Sequence, residues 1–273
     1  MTVFKAACVQ LRSSDDVAEN IRDTARLVRE AASQGASFVA TPENTTLMAP
    51  DGGAKLAQSH DEAHDPALPV FSDLAKELNI WLLVGSLAIK VSANKTANRS
   101  FLFAPDGHIA ARYSKLHLFD VNLASGEAYR ESDTVEGGGE AVLAETPLGT
   151  IGLSICYDVR FPHLYRRMAQ KGAFLLTVPS AFTVPTGQAH WHVLLRARAI
   201  ENGAFVIAPA QGGLHANGRK TYGHSLIISP WGEILAEAGS DPGVIVAQID
   251  PALSVQARAR IPSLLHDRAD LGF

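Results

Sequence analysis

Three residues in this sequence combine a reactive type with a position at or just beyond the end of an expected strand. Cys156 closes the run Leu153-Ser154-Ile155-Cys156 and is followed by Tyr157-Asp158-Val159-Arg160-Phe161-Pro162. A thiol at such a strand-to-helix change sits as at a nucleophile elbow, with the next backbone N–H groups free to meet an oxyanion. Glu43 follows the apolar stretch 36–41, and a carboxylate there can take a proton from a thiol, the more readily if partial burial raises its pKa. Lys115 stands in Arg112-Tyr113-Ser114-Lys115-Leu116-His117-Leu118-Phe119 among apolar and aromatic neighbours. An ammonium held there stabilises a thiolate and a tetrahedral oxyanion, most strongly where water is excluded. Each residue also has an ordinary reading, as a buried structural cysteine, a loop acid or helix cap, and a solvated surface lysine. The chemistry rests on the combination. Cys8, mid-strand in an alternating run, reads as packing alone.

Patterning indicates which elements must deliver these side chains. Residues 3–11 form an extended run, and Ser13 to Asp16 supply caps for a helix with Val17, Ile21, Ala25, Val28 and Ala32 at helical spacing. That helix stops at Gly35, and a strand over 36–41 leads to Glu43. The spacing of Phe71, Leu74, Ala75 and Leu78 predicts a second helix over 66–78, followed by an apolar strand over 81–89. Residues 100–104 and 108–113 flank Pro105-Asp106-Gly107 as a hairpin, with Lys115 just beyond it. A second hairpin, 141–146 with 150–155, turns at Pro147-Leu148-Gly149 and ends on Cys156. Helices over 161–171 and 188–202, strands over 173–178, 204–209 and 244–249, and a hairpin around Pro230-Trp231-Gly232 complete the inventory. Helix–strand alternation implies parallel pairs covered by helices, whereas hairpins demand antiparallel neighbours, so the sheets are expected to be mixed. Two mixed sheets stacked between helix layers fit; a Rossmann sheet fits worse, because no G-x-G-x-x-G follows the first strand.

The 273 residues are 47% apolar and 19% charged, enough to bury a large core without disulfides or metal. No repeat or linker-like stretch divides them. A formal charge of −4 gives neither a nucleic-acid footprint nor a polybasic membrane anchor, which favours a small-molecule partner. No export signal is evident and no stretch reaches the roughly 18 apolar residues of a spanning helix, so a cytoplasmic location is expected. Cys8 and Cys156 are then expected to stay unpaired. His190 and His192 would point to different sides of a helix, and neither a metal nor a cofactor is expected.

The segments TPEN around Glu43, RYSKLHLFD around Lys115 and SICYDVRFP around Cys156 resemble, in this order, the three hallmark segments of the nitrilase, or carbon–nitrogen hydrolase, superfamily. The likeness runs over essentially the whole chain. It implies a single α/β domain over 1–273, a four-layer α-β-β-α sandwich, a triad of Glu43, Lys115 and Cys156, no metal, and homodimers that pack helix layers together. Within the family, TGQAHWHVLLRARAIENGAFVIAPAQGG and YGHSLIISPWGEILAEA are similar to the amidases acting on 2-oxoglutaramate or deaminated glutathione. AQGGLHANGRKTYGHS resembles the deaminated glutathione branch, while ENTTLMAP departs from both. The family's second glutamate has two candidates in GEAYRESDT, Glu127 and Glu131, of which Glu131 fits better by spacing and context. It would orient Lys115 or the substrate amide, or else be an exposed loop acid.

For substrate binding, Arg160 is the first candidate, since its fork holds a carboxylate bidentately; it could equally pair with Asp158. The Tyr157 N–H would share the oxyanion with Lys115, and Phe182 and Thr186 would close the pocket, although Phe182 also suits plain core. Together these readings predict hydrolysis of a small carboxylated amide, such as the α-keto acid amide deaminated glutathione, through a cysteine thioester. 2-Oxoglutaramate and N-carbamoyl amino acids are alternatives. Two rivals remain at this stage: His163 or His190 as base, as in papain-like enzymes, or an inactive binding scaffold. Retention of Glu43, Lys115 and Cys156 together argues against the scaffold.

Overall fold

The computed structural model describes residues 2–122, 126 and 128–268; Glu127 lies outside the described residues. Two mixed sheets dominate it. The first runs, in spatial order, Gly243–Ile249, Phe4–Gln10, Phe38–Ala40, Trp81–Lys90, Thr96–Phe103 and Ile109–Ser114, with Val135–Glu136 beside Thr96–Phe103. The second runs Ile234–Glu237, Leu226–Ile228, Phe205–Ala208, Leu175–Thr177, Gly149–Leu153 and Val142–Thr146. Strands joined through a helix pair in parallel and hairpin partners pair antiparallel, as the patterning required.

Six α-helices are present among the described residues: α1 (Val17–Ser33), α2 (Gly52–Gln58), α3 (Ala67–Leu78), α4 (Pro162–Gln170), α5 (Val184–Asn202) and α6 (Pro251–Arg260). The period of two along each strand sorts the layers. Ala7, Val9, Val39, Leu82 and Val84 pack with Leu27 and Val28 of α1 and Phe71 and Leu74 of α3 in one buried cluster. Ala6, Cys8, Phe38 and Leu83, pointing the other way, join Ile151 and Leu153 of the second sheet. Gly152, between those two, faces α4 so closely that a Cβ would fall 2.9 Å from Met168 Sδ. The order is therefore helix, sheet, sheet, helix. Cys8 is buried between the sheets, its Sγ 3.6 Å from the Leu226 carbonyl, and burial pushes its thiol pKa up, so it remains an inert packing group.

Local chemistry explains most boundaries and the departures from expectation. Asp16 caps α1 by accepting the Glu19 N–H at 2.9 Å, a contact worth about 1 kcal/mol. α5 starts at Val184, earlier than its apolar periodicity suggests, because Pro185 fits a first turn whose N–H groups have no helical partner. The helix expected over 161–171 is α4, Pro162–Gln170, and a 3-10 turn, Cys156–Arg160, precedes it where no element was expected. Neither α2 nor α6 carries a legible apolar stripe; α2 opens on Gly52 and Gly53 with no buried residue, and Leu253 and Val255 of α6 are exposed. Two further hairpins, Asp120–Asn122 with Ala128–Arg130 and Gly212–Leu214 with Lys220–Tyr222, stand apart from both sheets. No described helix is long and apolar enough to cross a membrane.

Candidate active site

Glu43 lies just beyond Phe38–Ala40, Lys115 directly after Ile109–Ser114, and Cys156 three residues after Gly149–Leu153. Strand ends from both sheets thus meet in one place, although the residues are far apart in sequence. All three side chains are buried, yet each lines a single cavity of about 470 Å³, a size suited to a small metabolite. The approach of the two sheets here depends on Gly85. A Cβ on it would lie 2.0 Å from the Thr41 carbonyl oxygen and 2.6 Å from Pro179 Cβ. The Pro179 carbonyl in turn accepts the Cys156 N–H at 2.9 Å, so the Glu43 loop and the Cys156 turn close on the same glycine.

Lys115 Nζ donates to Glu43 Oε1 at 2.8 Å and to Glu131 Oε2 and Oε1 at 2.9 and 3.2 Å. Asn98 Nδ2 also donates to both acids, at 2.8 Å to Glu43 Oε1 and 3.2 Å to Glu131 Oε1. The Phe119 N–H completes the cradle of Glu131 at 2.7 Å. The Cys156 thiol and the Glu43 carboxylate lie close enough for each to shift the other's ionisation. Glu131 is therefore tied into the buried network rather than free in solvent.

Opposing effects set the protonation of this group. Burial alone would raise the Glu43 pKa, but the Lys115 charge, the hydrogen bonds from Lys115 and Asn98, and the nearby Cys156 thiol outweigh it and hold the acid down to about 2. Burial disfavours the Lys115 ammonium, yet Glu131 and Glu43 overcome that and keep its pKa well above the ordinary lysine value. Burial and then the Glu43 charge push the Cys156 thiol up, with Lys115 opposing. The resting site is a neutral thiol, a carboxylate and an ammonium. Such an arrangement allows a proton to pass from sulfur to Glu43 as sulfur forms a bond, with Lys115 placed to stabilise new negative charge.

Cys156 has φ 50°, left-handed for a side chain that is not glycine, a conformation costing about 1 kcal/mol or more and found where surrounding structure enforces it. The enforcing group is Asp158. Its fully buried carboxylate accepts the Ile155 N–H at 2.9 Å, the Tyr113 hydroxyl at 2.6 Å and the His117 N–H at 3.0 Å, and meets His117 Nδ1 at 2.7 Å. Tyr113 and His117 flank Lys115 on either side, so one carboxylate joins the cysteine turn to the lysine segment. The Tyr157 N–H, next to the thiol, has no partner among the described residues.

Residues 5–259 match the carbon–nitrogen hydrolase family. The chain belongs to that family. It is 44% identical over 271 residues to the deaminated glutathione amidase of Synechocystis sp. (strain PCC 6803 / GT-S), covering 97% of this chain and 98% of that protein. It is 35% identical over 271 residues to the omega-amidase NIT2 of Homo sapiens, covering 99% of this chain and 97% of that one. The solved structure of Saccharomyces cerevisiae Nit3, a member of branch 10 of the nitrilase superfamily, superposes with a TM-score of 0.87 at 29% identity, over 99% of this chain and 97% of that chain.

The cavity of this carbon–nitrogen hydrolase is lined further by Tyr157, Phe182 and Thr186, as the sequence suggested. Arg160 departs from expectation. Its guanidinium lies 5.8 Å from the Tyr157 ring centroid, 5.5 Å from that of Phe182 and 3.3 Å from His190 Nδ1, outside the cavity lining. Asp158, its anticipated alternative partner, is engaged by Tyr113 and His117 instead. Four residues of separation from the thiol do not aim a side chain, because the 3-10 turn sends Arg160 outward. His163 and His190 are exposed and line no part of the cavity, which removes the structural basis for a histidine base. Three cavity cations escaped notice in the sequence: Lys55 on α2, Arg130 on Ala128–Arg130, and Arg219 before Lys220–Tyr222. Asn98 also escaped notice, because it lies in the polar half of Thr96–Phe103, among Thr96, Arg99 and Ser100, where nothing in the pattern marks it. Among the described residues, His192, His224 and Glu237 bring potential metal-ligand atoms within 4.8 Å of one another, away from this cavity; both imidazoles bond Glu237 Oε1 at 2.9 Å.

Proposed function

We propose that this chain hydrolyses the amide bond of a small carboxylated α-keto acid amide of the deaminated glutathione type, with Cys156 as the nucleophile. The observation that carries this reading is the meeting of Lys115 Nζ with Glu43 and Glu131 beside the Cys156 thiol. As Sγ attacks the amide carbon, its proton passes to Glu43, and Lys115 and the Tyr157 N–H meet the oxyanion. Glu43 then gives that proton to the departing nitrogen, the C–N bond breaks, and an acyl thioester remains. In the second half, Glu43 takes a proton from water, hydroxide adds to the thioester, and the proton returns to sulfur as the acid leaves. Two of the three Lys115 hydrogens are directed to Glu43 and Glu131, which aims the third at the reacting oxygen. Glu131 and Asn98 are positioning residues in this scheme.

The substrate class is supported by the 44% identity to a relative named deaminated glutathione amidase and by the likeness of AQGGLHANGRKTYGHS to that branch. The more distant omega-amidase relative supports 2-oxoglutaramate as a second reading. A homodimer is supported by exposed apolar side chains that gather on the outer helices and the neighbouring turn: Val193 and Ile200 of α5, Leu253 and Val255 of α6, and Trp231. Two unpaired cysteines, one at the reactive position, suit a cytoplasmic setting. The test is ammonia and amine release from deaminated glutathione, 2-oxoglutaramate, an N-carbamoyl amino acid and an uncharged amide. Deaminated glutathione is expected to show the highest kcat/KM, and Cys156→Ala to abolish turnover without loss of fold; equal rates on the uncharged amide would remove the substrate claim.

A further inference from the structure

The reaction scheme leaves Lys55 and Arg219 without work, although both face the cavity. Arg219 is unusually short of acceptors. One Nη donates to the Ala181 carbonyl at 3.0 Å, the other meets only Met48 Sδ at 3.8 Å, and Nε is buried with no partner among the described residues. Lys55 Nζ has one acceptor, Asn44 Oδ1 at 3.2 Å. Neither cation has a carboxylate within ion-pair distance among the described residues, whereas Arg130, also on the cavity wall, directs its donors to Val121, Tyr129 and Asn122. The Arg219 Nη group beside Met48 and the Lys55 ammonium therefore keep donors that an anionic group entering the cavity can use.

The segment bearing Arg219 is fixed in advance. Asn217 Nδ2 donates to the Met48 and Ala49 carbonyls, each at 3.0 Å, and His215 bridges the Ser13 carbonyl at 2.8 Å and Thr221 Oγ1 at 2.7 Å. These bonds tie the turn to the loop that leads into α2, and so bring Arg219 and Lys55 near enough for each to feel the other's charge. Lys55 and Arg219 sit on the same cavity wall as Glu43, Glu131 and Lys115. A substrate carboxylate between them gives both cations a charged partner.

We infer that Arg219 and Lys55 form the subsite for the carboxylate on the acyl side of the scissile amide. This inference rests on the amidase reading of the cavity and adds to it the residues that select the substrate. Arg160, stacked outside, takes no part in the contact.

The experiment pairs 2-oxoglutaramate with its methyl ester as substrates, and measures binding of 2-oxoglutarate to protein carrying Cys156→Ala. Arg219→Gln and Lys55→Gln are expected to reduce the preference for acid over ester by about 10- to 100-fold, mainly through KM, and to weaken 2-oxoglutarate binding to a similar extent. Arg219→Lys should recover part of the loss, and Arg160→Gln should keep the preference. Unchanged preference and binding in Arg219→Gln, or an equal loss on acid and ester, would overturn the subsite. If the unaltered protein cleaves neither these amides nor deaminated glutathione but still binds 2-oxoglutarate through Arg219, the subsite stands and the amidase reading falls.

Discussion

The buried carboxylate of Asp158 accepts the Tyr113 hydroxyl at 2.6 Å, and this contact joins the turn carrying Cys156 to the strand that ends at Lys115. The nucleophile comes from one sheet and the ammonium from the other, so their spacing depends on a bond that crosses between layers. Burial, reinforced by the Asp158 charge, drives the Tyr113 pKa well above its ordinary value, which keeps the phenol protonated as a donor.

Tyr113→Phe removes that donor and leaves a buried carboxylate short of one partner. A loss of stability of about 1.5–3 kcal/mol is expected. Chemical denaturation measures it, and kcat should fall more than KM rises because the reacting groups lose register. A destabilised protein with unchanged kcat would show that the Asp158 bond holds the fold without positioning the chemistry.

Thiol titration separates the two neighbours of Cys156. The Glu43 charge raises the thiol pKa and the Lys115 charge lowers it. Glu43→Gln should therefore shift the pH dependence of Cys156 alkylation downward, and Lys115→Gln should shift it upward, while both lose amide turnover. Cys8, buried between the sheets, should stay unmodified in all three proteins until they unfold. Shifts in the same direction for the two variants would contradict the charge arrangement.

The pH dependence of turnover follows from the same charges. Glu43 has a pKa of about 2 in the folded chain, below its ordinary value, so its basic form persists throughout the neutral and mildly acidic range. Lys115 is held above its ordinary value and stays charged over the same range. The profile of kcat/KM should be level between about pH 5 and 8, whereas a histidine base would give an acid limb near its ordinary pKa of roughly 6.5. For stability the sign is that of a depressed acid: the Glu43 contribution is full above the unfolded pKa of about 4.3 and is lost as pH falls through the folded value. Activity that halves near pH 6.5 would speak for a histidine.

Glu43, Lys115 and Cys156 were readable in advance because each lies just beyond an expected strand and in a segment that resembles a hallmark of the carbon–nitrogen hydrolases. The helical and alternating periods allowed two mixed sheets between helix layers, and the resemblance implied the helix–sheet–sheet–helix order. What stayed hidden depends on direction and long-range closure. The outward aim of Arg160 is set by a 3-10 turn over Cys156–Arg160, which carries no periodic signal. Arg219 reaches the cavity only through the Asn217 bonds to Met48 and Ala49, between segments far apart in sequence. Lys55 rides on α2, whose glycine start and lack of buried residues give no periodic signal. Asp158 looked like an acid near the nucleophile, and only the packing of the two sheets shows that it serves Tyr113 and His117.

The central claim is that Cys156 carries the acyl group between the two half-reactions. Rapid acid quench of the enzyme turning over an amide substrate, followed by peptide mass spectrometry, tests it directly. The account predicts a peptide containing Cys156 heavier by the mass of the acyl group, chased away as turnover ends and missing in Cys156→Ala. Turnover with no adduct on Cys156, or turnover that survives Cys156→Ala, would contradict it.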